Sequence, residues 1–305
     1  MSTVRVATYN LYLGADLTVV FAATDEADLA RRTDLVHDQV LATDFVARAA
    51  AVARLLVRER VDVVGLQEVA RWSRDGEEEP WLDFLDELLA ALARTGAAYD
   101  VHAAVTSFEG GATPSAGDPM SVLGRNVVLV RRGSGVRVLG SRSGSFRRTL
   151  EVVTPMPGLV LGIARSWSWV DAQVTGRPFR FVNTHLEAWD PRVRDAQRRE
   201  LLDELGSPDL PVVVVGDFNA EPAAVGMPEE YVDAWADAGT GGPGWSCGQA
   251  PDLTGECALA TRIDYVFARG PEVRRCWVVG DRDEDRTPGG LWPSDHACVV
   301  ADLTV

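Results

Sequence analysis

The nine residues from Pro211 to Asn219 constrain this chain more than any other stretch. Four consecutive valines, Val212 to Val215, run into Gly216-Asp217-Phe218-Asn219. Four β-branched residues bounded by Pro and Gly make a strand rather than a helix, and with no polar residue on either face that strand must be buried. The architecture around it is therefore layered, and it delivers an acidic turn at the strand's C-terminal end.

The same arrangement recurs along the chain. Val4 to Leu13 is strand-like and contains Asn10, and Val61 to Val69 is a nearly continuous apolar run ending in Gln67-Glu68-Val69. Further strands are predicted at Asp100 to Ser107, Asn126 to Arg131, Val160 to Val174, Phe179 to Thr184, Ile263 to Ala268, Val273 to Val279 and Ala297 to Leu303. Helical spacing appears at Glu26 to Val40, at Asp44 to Arg60 through Phe45, Ala49, Val52, Leu55 and Leu56, at Trp81 to Ala93, and at Arg192 to Leu205. Many strands with few intervening helices predict an α/β fold of four layers, two packed mixed β-sheets flanked by helices, rather than a doubly wound parallel sheet. A length of 305 residues fits one domain over 1–305, since the loosest segments, Gly110 to Gly124 and Gly239 to Gly255, are too short to separate two.

Charge limits the partners. The formal balance is −15, every one of the 30 basic residues is arginine, and residues 125 to 200 carry a local excess of basic over acidic residues. A basic segment in an acidic body favours recognition of an anion at one site over general adhesion to nucleic acid. No run of about 18 apolar residues is present, and Met1 to Val6 passes directly into a strand pattern, so a cytoplasmic protein without a transmembrane segment is expected. Cys247, Cys257, Cys276 and Cys298 show no CxxC or zinc-ligand spacing and read as reduced thiols, although Cys247 and Cys257 flank a loop and could bridge in an oxidising compartment.

Strand ends bring distant residues together, and in chain order those ends carry Asn10, Glu68, Arg165, Asn183 with His185, Asp217 with Asn219, Asp264, and Asp295 with His296. A magnesium-type ion needs only one or two carboxylates plus water and phosphate oxygens, which suits Glu68 and Asp295, with Asn10 beside them. Phosphoryl transfer asks mainly for an in-line water and for neutralisation of the equatorial oxygens. Asp217 could position the water, while Arg165, His185 and His296 surround the phosphate. His37 and His102 lie within a predicted helix and strand and read as structural. Trp167 and Trp169 alternate along one strand and read as packing, whereas Trp245, in a Gly-rich loop, is the candidate substrate contact.

Taken together, Thr8-Tyr9-Asn10-Leu11, Leu66-Gln67-Glu68-Val69, Asn183-Thr184-His185-Leu186, Gly216-Asp217-Phe218-Asn219, Arg262-Ile263-Asp264-Tyr265-Val266 and Ser294-Asp295-His296 resemble the endonuclease/exonuclease/phosphatase superfamily, the deoxyribonuclease I-like fold. The pieces fall in the family's order over residues 10 to 296. The resemblance implies a metal-dependent phosphoester hydrolase using Mg2+ or Mn2+, with Asn10, Glu68 and Asp295 at the metal. It implies Asp217, with Asn219, as the group acting on the attacking water, His296 on the phosphate, and Asp264 holding that histidine's tautomer and charge. His185 matches the second histidine of the nuclease-like and phospholipid-like branches, where abasic-site endonucleases have Asn, and no acidic partner for it is identifiable. The boxes of the inositol-phosphatase branch are absent. Three readings stay open: a hydrolase of small or lipid-like phosphoesters, a nuclease acting on DNA or RNA, and a non-catalytic binding module. The acidic stretch Ala15 to Asp44 and the loop Gly239 to Gly255 are expected to wall the pocket.

Overall fold

The computed structural model describes residues 3–305. The chain opens with β1 (Thr3–Asn10), then α1 (Thr18–Phe21), α2 (Glu26–Ala42) and α3 (Phe45–Arg58). β2 (Val63–Arg74), the short β3 (Leu82–Asp83), α4 (Phe84–Arg94), β4 (Tyr99–Ala112) and β5 (Met120–Arg131) follow. The middle of the chain is β6 (Val136–Ser145), β7 (Leu150–Val153), β8 (Val160–Ile163), β9 (Ser166–Val174), β10 (Arg177–His185) and α5 (Pro191–Leu205). The C-terminal part is β11 (Val212–Asp217), β12 (Val232–Asp233), α6 (Ala234–Ala238), β13 (Asp264–Arg269), β14 (Glu272–Val279) and β15 (Cys298–Thr304).

Two mixed sheets result. One runs β14-β15-β1-β2-β5-β4 with β3 against β2, the other β12-β13-β11-β10-β9-β6, and β7 and β8 form a separate hairpin. Among the strands of the described residues, only β1 with β2 and β10 with β11 pair in parallel. Val6, Val63, Val128, Phe181, Val213, Val215 and Val299 fill the space between the sheets. α2, α3 and α4 cover the outer face of the first sheet, and Leu201 and Leu205 of α5 pack against Val182, Val212 and Val214 on the outer face of the second. The valines that marked the buried strand are thus split by alternation between two cores, and the four-layer expectation holds.

Several boundaries differ from the sequence reading. The stretch expected to be helical from Trp81 starts its helix at Phe84, because the Asp83 carboxylate accepts from the backbone N–H groups of Leu85 and Asp86 as an N-cap. The strand expected from Val160 to Val174 is broken at Ala164 and Arg165, which separate β8 from β9. The segment 110–124 is not loose: β4 and β5 extend into it, with Gly110 to Ala112 paired to Met120 to Val122. β6 and β7 were unforeseen; β6 is exposed along most of its length and carries no apolar alternation strong enough to read.

Candidate active site

The carboxyl ends of the central parallel pairs, and the adjoining ends of their antiparallel neighbours, meet at one edge of the sandwich. In the second sheet His185 pairs with Asp217 and Asp217 with Asp264, so three functional residues stand side by side in register. Arg165 immediately precedes β9, whose Ser166 pairs with His185. In the first sheet β1 ends at Asn10 opposite Gln67. The ladder between β2 and β5 skips between Leu66 and Val69, a bulge that sends Gln67 inward and Glu68 toward the cavity.

Backbone strain collects at this edge. Tyr12, Glu68 and Asn219 have φ of 52°, 54° and 49°, left-handed values that cost a non-glycine residue about 1–3 kcal/mol and persist where surroundings impose them. Gly216 is required for a different reason: a Cβ there would stand 2.1 Å from the carbonyl oxygen of Thr184. That close approach sets Asp217 beside His185.

Asn10 joins the two sheets. Its Nδ2 donates to Oε1 of Glu68 at 3.1 Å and to Oδ2 of Asp217 at 3.0 Å, while its Oδ1 accepts from the Tyr12 N–H at 2.9 Å. The second Glu68 oxygen accepts from the Leu13 N–H at 3.0 Å. Asp295 is held from behind: its carbonyl accepts from the N–H groups of Gly248 and Gln249, and Ser294 Oγ donates to the Asn10 carbonyl at 2.7 Å. Burial pushes the Asp295 carboxyl up to about 6, with His296 opposing and Glu68 adding. Its side chain nevertheless keeps 24% of its surface exposed, toward the cavity.

Asp217 is buried. Its Oδ1 accepts from the Asn219 N–H at 2.9 Å, and its Oδ2 lies 3.5 Å from Nε2 of His185 and 3.8 Å from Nε2 of His296. Burial first, then the nearby Asp264, raise it to about 7, against His296 and the two hydrogen bonds.

The two histidines are in opposite states. Nδ1 of His296 stands 2.8 Å from Oδ2 of Asp264, the oxygen that also accepts from Ser246 Oγ at 2.7 Å. Burial works against charge on His296, but Asp264, Cys247 and Asp295 outweigh it and hold the imidazole well above its ordinary value. At His185, Nη1 of Arg165 is 3.4 Å from Nδ1, while Nε2 has Nδ2 of Asn219 at 3.1 Å and Oδ2 of Asp217 at 3.5 Å. Burial, then the Arg165 charge, then His296 push it well below its ordinary value, so His185 is neutral. The carboxylate nearest its ring is Asp217 itself, and on the other side Arg165 stands between His185 and the buried Glu187, with Nε 3.6 Å from Oε2 as an ion pair.

Glu68, Arg165, His185, Asp217, Asn219, Asp295 and His296 all line one open cavity of about 260 Å³. Asp264 acts from behind through His296. Two sequence-predicted contacts are corrected. Asn183 lies between the sheets, its Nδ2 donating to the Leu66 and Val127 carbonyls and its Oδ1 accepting from Gln67, so it braces the fold rather than meeting a substrate. Trp245 is 48% exposed but lies outside the cavity lining. Its place is taken by Trp189, whose ring meets Phe21 edge-on at 5.7 Å, and by Tyr12. The stretch from Ala15 does wall the cavity, through Ala15, Asp16, Leu17, Thr18 and Phe21, whereas the second loop contributes Pro251. His37 and His102 do not line it, Trp167 and Trp169 stack on each other in the outer core of the second sheet, and all four cysteines are free thiols.

The basic segment is largely neutralised, and the cavity that three of its arginines line, at Arg147, Arg148 and Arg199, shares no residue with the candidate site. Nine of its fourteen arginines are paired with carboxylates, among them Arg125 with Asp83, Arg131 with Asp62 and Arg180 with Asp171. Arg165 alone among them lines the cavity of the candidate site. No described helix is long and apolar enough to cross a membrane.

Missed by sequence reasoning was Arg48, fully buried on α3 without a carboxylate partner. It donates to the carbonyls of Leu11, Tyr12, Thr43 and Pro293 at 2.7 to 3.1 Å, tying the turn after Asn10 to the turn before Asp295. The signal was available: Arg48 interrupts the apolar stripe between Phe45 and Val52.

Opposed sheets presenting carboxylates, an imidazolium and an arginine to one cavity define a phosphoester hydrolase of the α/β-sandwich class. Residues 7–296 match the endonuclease/exonuclease/phosphatase family, and the chain belongs to it. Members of that family are metal-dependent phosphoester hydrolases. Among solved structures, the fold is similar to a family protein from Bacteroides thetaiotaomicron at 20% identity, covering 99% of this chain and 97% of that one with a TM-score of 0.63. It is also similar to the mannosyl-6-phosphatase of the same organism at 18% identity, 99% and 100% coverage and a TM-score of 0.62. D. rerio TDP2 complexed with a single-strand DNA product matches at 16% identity, over the whole of both chains, with a TM-score of 0.62. No curated protein matches the sequence.

Proposed function

We propose that the protein hydrolyses a small phosphoester by in-line attack of a water positioned by Asp217, with a divalent cation at Glu68 and Asp295. The single observation that carries the choice of substrate is that the cavity is walled by Phe21, Trp189 and Tyr12 and presents one arginine, Arg165. A duplex rewards many phosphate contacts along a track. This site offers one anchored phosphate in a pocket.

Donor chemistry supports the cation. Glu68 and Asp295 supply hard carboxylate oxygens open to the cavity, as a magnesium-type ion requires. Asp217, Asp264 and His296 also bring ligand atoms within 4.8 Å of one another. That trio suits an ion less well, because His296 carries charge and already engages Asp264. When bound, the cation supplies charge neutralisation at a phosphate oxygen and lowers the cost of the leaving oxygen's charge.

The protein's own residues do the rest. The Asn10 amide and the Asn219 N–H fix both oxygens of Asp217, leaving its buried carboxylate, raised to about 7, as an acceptor for the water's proton. His296, held charged by Asp264, faces the phosphate as a donor, and Arg165 supplies a second fixed charge. Neutral His185 accepts from Arg165 and keeps that guanidinium directed along the cavity wall.

A panel of sugar, nucleotide and alkyl phosphoesters, run with Mg2+ or Mn2+ beside supercoiled plasmid, tests the reading. Turnover of one or more small esters with the plasmid left intact is expected. Metal-dependent nicking without turnover of any small ester refutes it in favour of a nuclease.

A further inference from the structure

A second cavity of about 200 Å³ adjoins the first, and Leu17, Phe21 and Phe108 line both. Its remaining walls are mostly apolar, chiefly Val20, Leu29, Val36, Trp72, Met120 and Leu161. Two of its polar side chains are engaged, the Trp72 indole N–H donating to the Leu13 carbonyl at 3.0 Å and the Thr33 hydroxyl to the Leu29 carbonyl at 2.9 Å, and Ser121 adds one hydroxyl. Glu109 is the one charged residue among the described residues that line it, and it is exposed. Two elements span both cavities. α1 contributes Val20 to the second and Phe21 to both, and the strand β8 places Val160 to Gly162 along the second and Ile163 in the first.

We infer that this cavity receives an uncharged alkyl or acyl substituent of the phosphoester whose phosphate is held at Arg165 and His296. The inference rests on the hydrolase reading above and specifies its substrate. Continuity argues for it: Leu17, Phe21 and Phe108 line both cavities, and beyond them lies a mostly apolar space in which Ser121 and the exposed Glu109 are the side chains left to meet a sugar or a base. Most polar groups of either would be desolvated there without partners. A carboxylate-ended chain is disfavoured by Glu109. The occupant is part of a small substrate, not a protein segment, because the space shares its Leu17, Phe21 and Phe108 wall with the cavity of the reacting groups.

The test uses n-alkyl p-nitrophenyl phosphodiesters and mono-n-alkyl phosphates from ethyl to octyl, kept below their micellar concentrations, with Mn2+. In at least one series kcat/KM is expected to rise about fourfold per added methylene over the first few carbons, the increment that burying a methylene supplies. Leu161→Asp is expected to flatten that rise. As a readout that does not depend on any variant folding, non-hydrolysable n-alkylphosphonates should inhibit turnover of the ethyl ester more strongly as the chain lengthens. Turnover that is flat with chain length in both series, with phosphonate inhibition equally flat, overturns the inference and leaves the hydrolase reading intact. No turnover of any ester in either series overturns both.

Discussion

Replacing Arg48 with methionine removes a buried cation that touches no substrate, and its consequence can be worked from the contacts. The guanidinium satisfies four carbonyls, those of Leu11, Tyr12, Thr43 and Pro293. Its carbon lies 4.9 Å from the Phe45 ring and 5.6 Å from the Phe84 ring. Arg48→Met leaves those carbonyls buried, at a cost of roughly 1 kcal/mol each at the low end of the usual range, and loses about 1 kcal/mol of cation–π attraction. Against this stands the release of a desolvated charge. Burial lowers the Arg48 pKa from 12.5 to about 10, which corresponds to roughly 3 kcal/mol of strain in the folded state. The difference is a net loss of about 2 kcal/mol, smaller than breaking a buried ion pair because no carboxylate is orphaned. For a chain of 305 residues that lowers Tm by roughly 3 °C. The same substitution unties the turns that carry Asn10 and Asp295, so the Mn2+ concentration for half-maximal activity should rise about tenfold as well. Urea unfolding and a metal titration of initial rates measure the two effects. A variant as stable as the wild type with unchanged metal dependence refutes the reasoning, and shows that water or repacking satisfies the carbonyls.

Two further substitutions probe the site. Asp264→Asn should lower kcat by roughly 10²–10³ and pull in the alkaline limb of the rate profile. The sign follows from His296, whose folded pKa is raised: its charge is fully present below the ordinary value near 6.5 and is lost as pH rises through the folded value. Without Asp264, burial works against that charge with less opposition and the loss begins at lower pH; an alkaline limb identical to the wild type contradicts this role. Gly216→Ala forces a Cβ against the Thr184 carbonyl and should cost at least about 2 kcal/mol in urea unfolding, whereas a change within about 0.5 kcal/mol contradicts the claim that this contact sets Asp217 in place.

Much of the site was legible because strand ends are legible. A buried strand announces itself through β-branched residues, and a polar residue at its end has few places to go other than the sheet edge, so Asn10, Glu68, His185, Asp217, Asp264, Asp295 and His296 converge as expected. What the sequence does not carry is the direction of a side chain near a bulge or a break. Gln67 and Glu68 are adjacent, yet one faces the interior and the other the cavity, and the bulge against β5 decides which. Asn183 precedes His185 by two residues and shares its face, but Gly65 lets the first sheet approach so closely that the Asn183 amide is consumed between sheets. Arginines from 125 to 200 read as an anion-binding surface because their carboxylate partners, such as Asp62 and Asp83, come from far away in sequence. The aromatic wall likewise depends on where α1 meets the turn after β10, a long-range contact with no local pattern.

Hydrolysis of bis(p-nitrophenyl) phosphate by the wild type and by Asp217→Asn, each with Mn2+ and with EDTA, tests the central claim most directly. The account predicts release of p-nitrophenol that EDTA abolishes and that Asp217→Asn reduces by at least about a hundredfold without loss of folded protein. Release that persists in EDTA, or that survives the loss of the Asp217 carboxylate, contradicts a metal-assisted attack by a water held at that residue.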